Sequence, residues 1–337
     1  MNTAAPKGRV AIVYHPGKVE LDELKAAVAA AVDKHGWGEV EWWETTKDDP
    51  GEGPAREAVA RGATMVVACG GDGTVRAAAT GLRDTGASLG VIPLGTGNLL
   101  ARNLKLPLNM EEAVDAVFGG QDAAIDLCTA AVTRPDGSSE RFDFVVMAGV
   151  GVDAQMIVNT DDELKRKVGF LAYGVAIAKS LAGGNRIRAE YRIDGGQPEK
   201  TRVHSLIGGN CGELVGGLPL LPDAQANDGI FDLVFIRPTG VFGWAQIAGR
   251  LIRQAGEKVR RRLTRSSAPV TGGAQDLSSL RYLSGTHLEA TLKHPEVFEV
   301  DGEEIGQVTA FNISIDPGGL VVCQSSPPPV EEPGEVA

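Results

Sequence analysis

Two glycine-rich turns and two acidic turns hold the residues of this chain whose types and spacing could do chemistry. Gly70-Gly71-Asp72-Gly73-Thr74 follows the apolar run Met65–Cys69 and precedes a helix-like stretch. Glycines there let the backbone approach a polyphosphate and turn N–H groups toward it, while the following helix offers its positive end. Asp72 would repel phosphate, so its charge makes sense where a cation or a proton is handled. Pro93-Leu94-Gly95-Thr96-Gly97-Asn98 repeats the arrangement after the run Leu89–Ile92. Beside Gly95, Thr96 and Asn98 could hydrogen-bond phosphate or ribose oxygens, or Asn98 could simply cap its helix.

The acidic turns are Asp301-Gly302-Glu303-Glu304, after Val297–Val300, and Asn227-Asp228-Gly229-Ile230-Phe231-Asp232, preceded by Leu221-Pro222-Asp223-Ala224. Asp-Gly turns are common on surfaces. With two phosphate loops in the same chain, however, Asp301 and Glu303 are candidates for a general base. The proton of an alcohol must leave as a new P–O bond forms, and a fixed carboxylate can accept it. The 221–232 stretch spaces carboxylates and turn carbonyls so that they could hold one hard cation such as Mg²⁺, a plain Asx turn being the alternative.

The elements that would position these turns alternate in the first half. Val10–Tyr14, Val40–Trp43, Met65–Cys69 and Leu89–Ile92 read as strands. Leu21–Lys34, Ala55–Arg61, Val75–Leu82 and a stretch from Asn98 read as helices. That order predicts a doubly wound parallel α/β domain, with ligands beyond the carboxyl ends of its strands. After about Asp126 strand-like runs follow one another: Leu127–Thr133, Phe142–Val146, Arg186–Ile193, Thr201–Ile207, Ile230–Ile236, His287–Leu292 and Val297–Val300. They predict an antiparallel β-sandwich over 127–313 carrying helices near 161–181 and 241–262. Residues 314–324 would return to the first domain (1–126), and the Pro- and Glu-rich tail 325–337 would be disordered.

A chain of 337 residues suits two domains. A net charge of -11 argues against a nucleic-acid duplex as partner. The four scattered cysteines form no CxxC pair, which argues against a zinc site or disulfide framework and suits the cytoplasm. No apolar run approaches the ~20 residues of a membrane span, so any membrane contact would be peripheral.

Taken in order, GGDGT, P-x-GT-x-N, DG-x-x-D and DGE resemble the catalytic domain family shared by diacylglycerol kinases, sphingosine and ceramide kinases and soluble bacterial lipid kinases. Gly149–Ala154 and Leu164–Gly169 resemble further family elements. The resemblance implies an ATP-binding domain and a β-sandwich domain with the active site between them, and transfer of the ATP γ-phosphoryl group to the hydroxyl of diacylglycerol or a related lipid alcohol. It implies that Gly70 to Thr74, Gly95, Thr96 and Asn98 hold ATP, with Asp72 at the phosphate and metal end. Asp301 and Glu303 would supply the base and orient a catalytic Mg²⁺. Gln225, Asp228 and Ile230 match positions of a structural Mg²⁺, with Asp126, Lys18 and Lys165 in the charged network around it. The family's N-P-x-S-G turn is here His15-Pro16-Gly17-Lys18, and the Thr that contacts ATP corresponds to Thr45 or Thr46.

Val241, Trp244, Ala248, Leu251 and Ala255 share one helical face, and residues 250–265 carry seven basic side chains against one acid. Anionic lipid headgroups would attract that segment, although a solvated basic face is the plainer account. A homodimer is left open. Two rivals stand beside the lipid kinase. An NAD kinase shares GGDGT, but Pro93–Asn98 followed by Ala101-Arg102-Asn103-Leu104 fits lipid kinases better. A catalytically silent lipid-binding regulator fits less well, since every acidic motif residue is present.

Overall fold

The computed structural model describes residues 7–151, 186–214, 218–238, 243, 246–247, 249 and 279–325. Its first half is built on β1 (Val10–Tyr14), flanked in parallel by β2 (Val40–Glu44) and β3 (Met65–Gly70), with β4 (Ser88–Pro93) beyond β3. Strand side chains alternate between faces, and both faces are covered. Val10 and Ile12 pack with Leu24 and Val28 of α1 (Leu21–His35). Ala11 and Val13 pack with Ala55 and Ala58 of α2 (Glu52–Ala60) and with Val75 and Ala78 of α3 (Asp72–Leu82). After the short α4 (Leu99–Asn103), α5 (Met110–Gly119) joins α1 on its face through Val114, Val117 and Phe118. This is the doubly wound parallel sheet expected.

The second half is an antiparallel β-sandwich. It comprises β5 (Gln121–Thr133), β6 (Ser139–Phe144), β7 (Met147–Val150), β8 (Ile187–Ile193), β9 (Glu199–Val203) and β10 (Ser205–Gly209). A two-residue pair, β11 (Glu213–Leu214) and β12 (Leu218–Pro219), precedes β13 (Phe231–Ile236), β14 (Leu280–Gly285), β15 (His287–Val300) and β16 (Glu303–Gln324). Phe144, Phe231, Phe235, Phe298 and Phe311 fill its core.

Strands β5 and β16 run through both halves. From Thr133 to Leu127, β5 lies antiparallel to β16 residues Ala310 to Asp316; a register break follows, and pairing resumes from Leu320. Val321 and Val322 then lie parallel to Ser88 and Leu89 of β4. The bend is Pro317-Gly318-Gly319, where Gly318 takes φ 67°, and the Asp126 carboxylate accepts the Gly318 N–H at 2.8 Å.

Several sequence expectations need correction. Thr201–Ile207 is two strands, because the chain breaks at His204, whose N–H turns to the Ile236 carbonyl. His287–Leu292 and Val297–Val300 are one strand with a bulge between Thr291 and Glu296. Phe142–Val146 ends at Phe144, because Val145 and Val146 give their N–H groups to a side chain. Strand β14 and helix α5 have no counterpart among those expectations, although Asn109 caps α5 by accepting from Glu111 and Glu112. Of the helix expected near 241–262 the described residues are Gly243, Gln246, Ile247 and Gly249, all helical; the helix expected near 161–181 and the tail beyond Ser325 fall outside the described residues.

Arg188 on β8 and Arg202 on β9 stand directly opposite one another, both exposed. Like charges in that relation are destabilising. Replacing Arg188 by Glu is expected to stabilise the fold by about 0.2–1 kcal/mol, read as a higher urea midpoint. A lower midpoint would contradict the register.

Candidate active site

The two glycine turns touch. Gly70 ends β3 and Gly71 caps α3 with no side-chain acceptor, so the first-turn N–H groups of that helix are left for an anion. A Cβ on Gly95 would lie 2.6 Å from the Gly71 Cα, so the approach requires glycine at position 95. Asp72 joins the turns from the other side. Its Oδ2 accepts the Asn98 N–H at 2.9 Å and its Oδ1 the Leu99 N–H at 2.6 Å. Burial raises the Asp72 pKa, opposed by those two N–H groups and by the Lys18 ammonium. Asn98, at φ 50°, folds back on Gly95: its Oδ1 accepts the Gly95 N–H and its Nδ2 donates to the Gly95 carbonyl. The amide of Asn98 therefore shapes the loop rather than facing the cleft. Thr74 is buried, and Thr96 is exposed on the cleft wall.

The turn after β1 is closed by His15, whose Nδ1 accepts the Gly17 N–H at 3.0 Å. It brings the Lys18 ammonium against Gly71, where a Cβ would meet Nζ at 2.7 Å. Lys18 thus stands at the phosphate turn. Thr45 is buried, and Thr46 is turned to Asp49, whose N–H its Oγ1 accepts. Thr46 stays outside the cleft, whereas the adjacent Lys47 lines it.

From the far end of the chain, Asp301 and Gly302 (φ 49° and 84°) form the two-residue turn between β15 and β16. The Asp301 carboxylate accepts three backbone N–H groups, from Val145 at 3.0 Å, Val146 at 2.9 Å and Met147 at 3.0 Å. Burial pushes its pKa up to about 6 against those donors and the Arg76 charge. Glu303 forms an ion pair with Arg76, which stands on α3 one turn beyond Asp72. The Arg76 Nε is buried and has no acceptor.

These groups surround one cleft of about 460 Å³ between the parallel sheet and the sandwich. Its polar lining includes His15, Lys18, Asp72, Arg76, Asp301 and Glu303, and its apolar lining includes Leu99, Met147, Ala148, Ile207 and Leu214. Arg76, Lys47 and the apolar wall were not singled out by sequence. A helical projection from Asp72 places Arg76 one turn along on the same face, which is the signal available for it.

Gln225, Asp228 and Ile230 lie apart from this cleft, on the exposed loop before β13. Asp126 ties that loop to the bend of β16: its Oδ2 accepts the Gly229 N–H and its Oδ1 the Gly318 N–H, both at 2.8 Å. Burial, then the charges of Asp228 and Asp223, push the Asp232 pKa up to about 6. Among the described residues no group of three or more His, Cys, Asp and Glu side chains could hold a metal ion, so a hard cation on this loop would have to be held largely by backbone carbonyls beside the Asp228 carboxylate. Lys165 lies outside the described residues.

A parallel sheet with paired glycine turns, facing acids carried on a β-sandwich, defines a two-domain kinase. Residues 9–130 match the diacylglycerol kinase catalytic domain, and residues 145–324, more than half of the chain, match the YegS C-terminal NAD kinase beta sandwich-like domain. The chain is 29% identical over 251 residues to the diacylglycerol kinase of Bacillus subtilis (strain 168), covering 73% of this chain and 79% of that one. It is 30% identical over 234 residues to a Pseudomonas putida protein named "Probable lipid kinase YegS-like", covering 68% and 75%. A crystal structure of a diacylglycerol kinase from Bacillus anthracis superposes with a TM-score of 0.66 at 19 parts in 20 of this chain (95%) and 97% of that one; at 16% identity the likeness is one of fold. The chain belongs to the diacylglycerol kinase and YegS-like lipid kinase family, and it is a phosphotransferase.

Proposed function

We propose that this kinase transfers the γ-phosphoryl group of ATP to the hydroxyl of diacylglycerol or a related lipid alcohol. The observation that carries the reading is the meeting of Glu303 and Asp301 with the Gly70–Thr74 turn across one cleft, from opposite ends of the chain. The N–H groups of Gly71 and Gly73, the first turn of α3 and the Lys18 ammonium would hold the phosphates. Gly95 and Thr96 would border the nucleotide, with His15 shaping its side of the pocket. Asp72 keeps the two turns together. Asn98 serves the same loop.

Asp301 is the proton acceptor in this reading. Three N–H groups fix its carboxylate, leave Oδ2 one lone pair free, and still allow a pKa of about 6, close to the operating range of a base. Glu303 holds Arg76 beside it, so a cation faces the transferring phosphoryl oxygens. The apolar wall would receive the glycerol and acyl portion of the acceptor. When bound, Mg²⁺ would neutralise phosphate charge; Asp301 and Glu303 would be the carboxylates to orient it, and Asp228, with the carbonyls of Gln225 and Ile230 and beside Asp126, would serve a separate structural ion.

Among the described residues no helix is long and apolar enough to cross a membrane. The substrate is a lipid, so the reading includes peripheral docking of a cytoplasmic enzyme on anionic headgroups through residues 250–265. Changing Arg260, Arg261 and Arg262 to Gln is expected to weaken sedimentation with phosphatidylglycerol vesicles tenfold or more, at about 1 kcal/mol for each basic residue. Unchanged sedimentation would discard that segment as the anchor. The function itself is tested by incubating the protein with ATP, Mg²⁺ and a total lipid extract, with NAD in a parallel arm, and weighing the products. A phosphorylated lipid is expected; phosphorylated NAD alone would sink the reading.

A further inference from the structure

Helix α3 is fastened to the sandwich twice, once within the helix and once where it ends. Arg76 lies inside α3, and Arg83, seven residues on, is its C-cap, where the backbone leaves the helix at ψ 131°. Near the cleft Arg76 pairs with Glu303. About 10 Å further along, the Arg83 guanidinium grips Asp143 as a fork, Nε to Oδ2 at 3.0 Å and Nη2 to Oδ1 at 2.8 Å. Nη2 also donates to the Thr129 hydroxyl at 2.7 Å, and that hydroxyl donates to Asp143 at 2.8 Å, closing a three-membered ring of bonds. Nη1 reaches Asp316 at 3.4 Å. The Arg83 side chain is 23% exposed, Asp143 12%, and Thr129 is buried.

The connection onward matters more than the pair. Asp143 lies on β6, two residues before Val145, and Val145, Val146 and Met147 are the residues whose N–H groups hold the Asp301 carboxylate. One end of α3 therefore carries the phosphate turn, and the other is clamped to the strand that leads into the cradle of the carboxylate opposite.

We propose that the Arg83–Asp143–Thr129 clamp is a positioning device for phosphoryl transfer: it sets the angle between the parallel sheet and the sandwich, and with it the distance from the phosphate turn to Asp301. The proposal rests on the kinase reading above and adds a residue to it. A forked guanidinium–carboxylate pair fixes direction as well as separation, which an ammonium cannot do. In-line transfer tolerates little misplacement, an error of about 1 Å costing on the order of 100-fold in rate. An ion pair that served stability alone would leave kcat intact in any variant that folds.

The test compares the parent with Arg83→Lys, Arg83→Gln and Asp143→Asn. In the ATP and diacylglycerol assay, kcat is expected to fall about tenfold in Arg83→Lys and about 100-fold in Arg83→Gln, with the KM for ATP within threefold of the parent. Pairing Arg83→Gln with Asp143→Asn should do no further harm, since both remove one interaction. Amide hydrogen exchange at Val145, Val146 and Met147 supplies a readout independent of substrate: it should quicken at least tenfold in Arg83→Gln, while the N–H groups of β1 stay protected. If both arginine variants fold and keep kcat within threefold, or if kcat and ATP binding fall together, the clamp is not a positioning device. A parent that phosphorylates no lipid overturns the kinase reading instead, and the exchange measurement then decides the clamp alone, unchanged exchange at those three amides overturning it.

Discussion

An Asp301→Asn enzyme is expected to bind ATP as the parent does and to lose phosphoryl transfer by roughly two to four orders of magnitude. The substitution is nearly isosteric, yet it removes the group that would take the proton. It also places an amide donor where one of three backbone N–H groups now donates, so a loss of about 1–3 kcal/mol in stability should accompany it. Glu303→Gln separates the two acids, because Glu303, which lines the cleft and pairs with Arg76, is 60% exposed where Asp301 is buried. It should lower kcat less and leave the acidic limb of the pH profile in place. That limb follows from Asp301, whose pKa burial pushes up to about 6. Below that value the carboxyl holds its proton and cannot accept another, so kcat/KM should fall tenfold per pH unit. The stability linkage has the same origin: a folded-state pKa above the unfolded one means that this group favours the fold most at low pH, an advantage lost as pH rises through about 6. Asp301 is thus kept charged at neutral pH at some cost to the fold, as expected of a group held for reactivity. An acidic limb that persists in a folded Asp301→Asn variant with residual activity would remove Asp301 from the role.

What could be read in the sequence was what neighbours in the chain encode. The Gly70–Thr74 and Pro93–Asn98 turns show because glycine after a buried strand and before a helix has a local physical meaning. Asp301-Gly302 shows because both residues of a tight hairpin turn take positive φ, which Asp and Gly tolerate. The alternation of strand and helix that gives the parallel sheet is local in the same sense. What stayed hidden was carried by distance. Arg76 meets a carboxylate 227 positions away. Asp72 looked like a charge aimed at a cation, but both its oxygens already hold N–H groups of the second turn. The unity of β16 was masked by Pro317-Gly318-Gly319, which reads as a stop and acts as a bend because β5 pairs on both sides of it. Thr46 fitted an expected position and was drawn away by a local bond to Asp49. Helix α5 is the exception, since its Asn109 cap and the spacing of Ala113, Val114, Val117 and Phe118 lie in plain sequence.

Gly95→Ala should be nearly as damaging as the loss of Asp301, by a different route. A single methyl at Gly95 would sit 2.6 Å from the Gly71 Cα and 3.0 Å from the Asn98 Oδ1. The nearer neighbour is backbone, so no rotamer change relieves the contact and the two turns must part. Parting them strains the two N–H groups accepted by Asp72, and the methyl itself crowds the pair of bonds between Asn98 and Gly95. Overpacking of this kind costs about 1–3 kcal/mol in stability. The larger effect should fall on ATP, whose affinity is expected to drop about 100-fold, because a cradle of N–H groups works only while both turns keep their spacing. Thr96→Ala is the control: it removes one exposed hydroxyl from the same loop and should cost tenfold or less. Calorimetric titration of ATP into both variants, with thermal unfolding in parallel, separates the possibilities. A folded Gly95→Ala protein that binds ATP like the parent would mean that the touching glycine turns are not the phosphate site, and with that the cleft would lose its claim on the nucleotide.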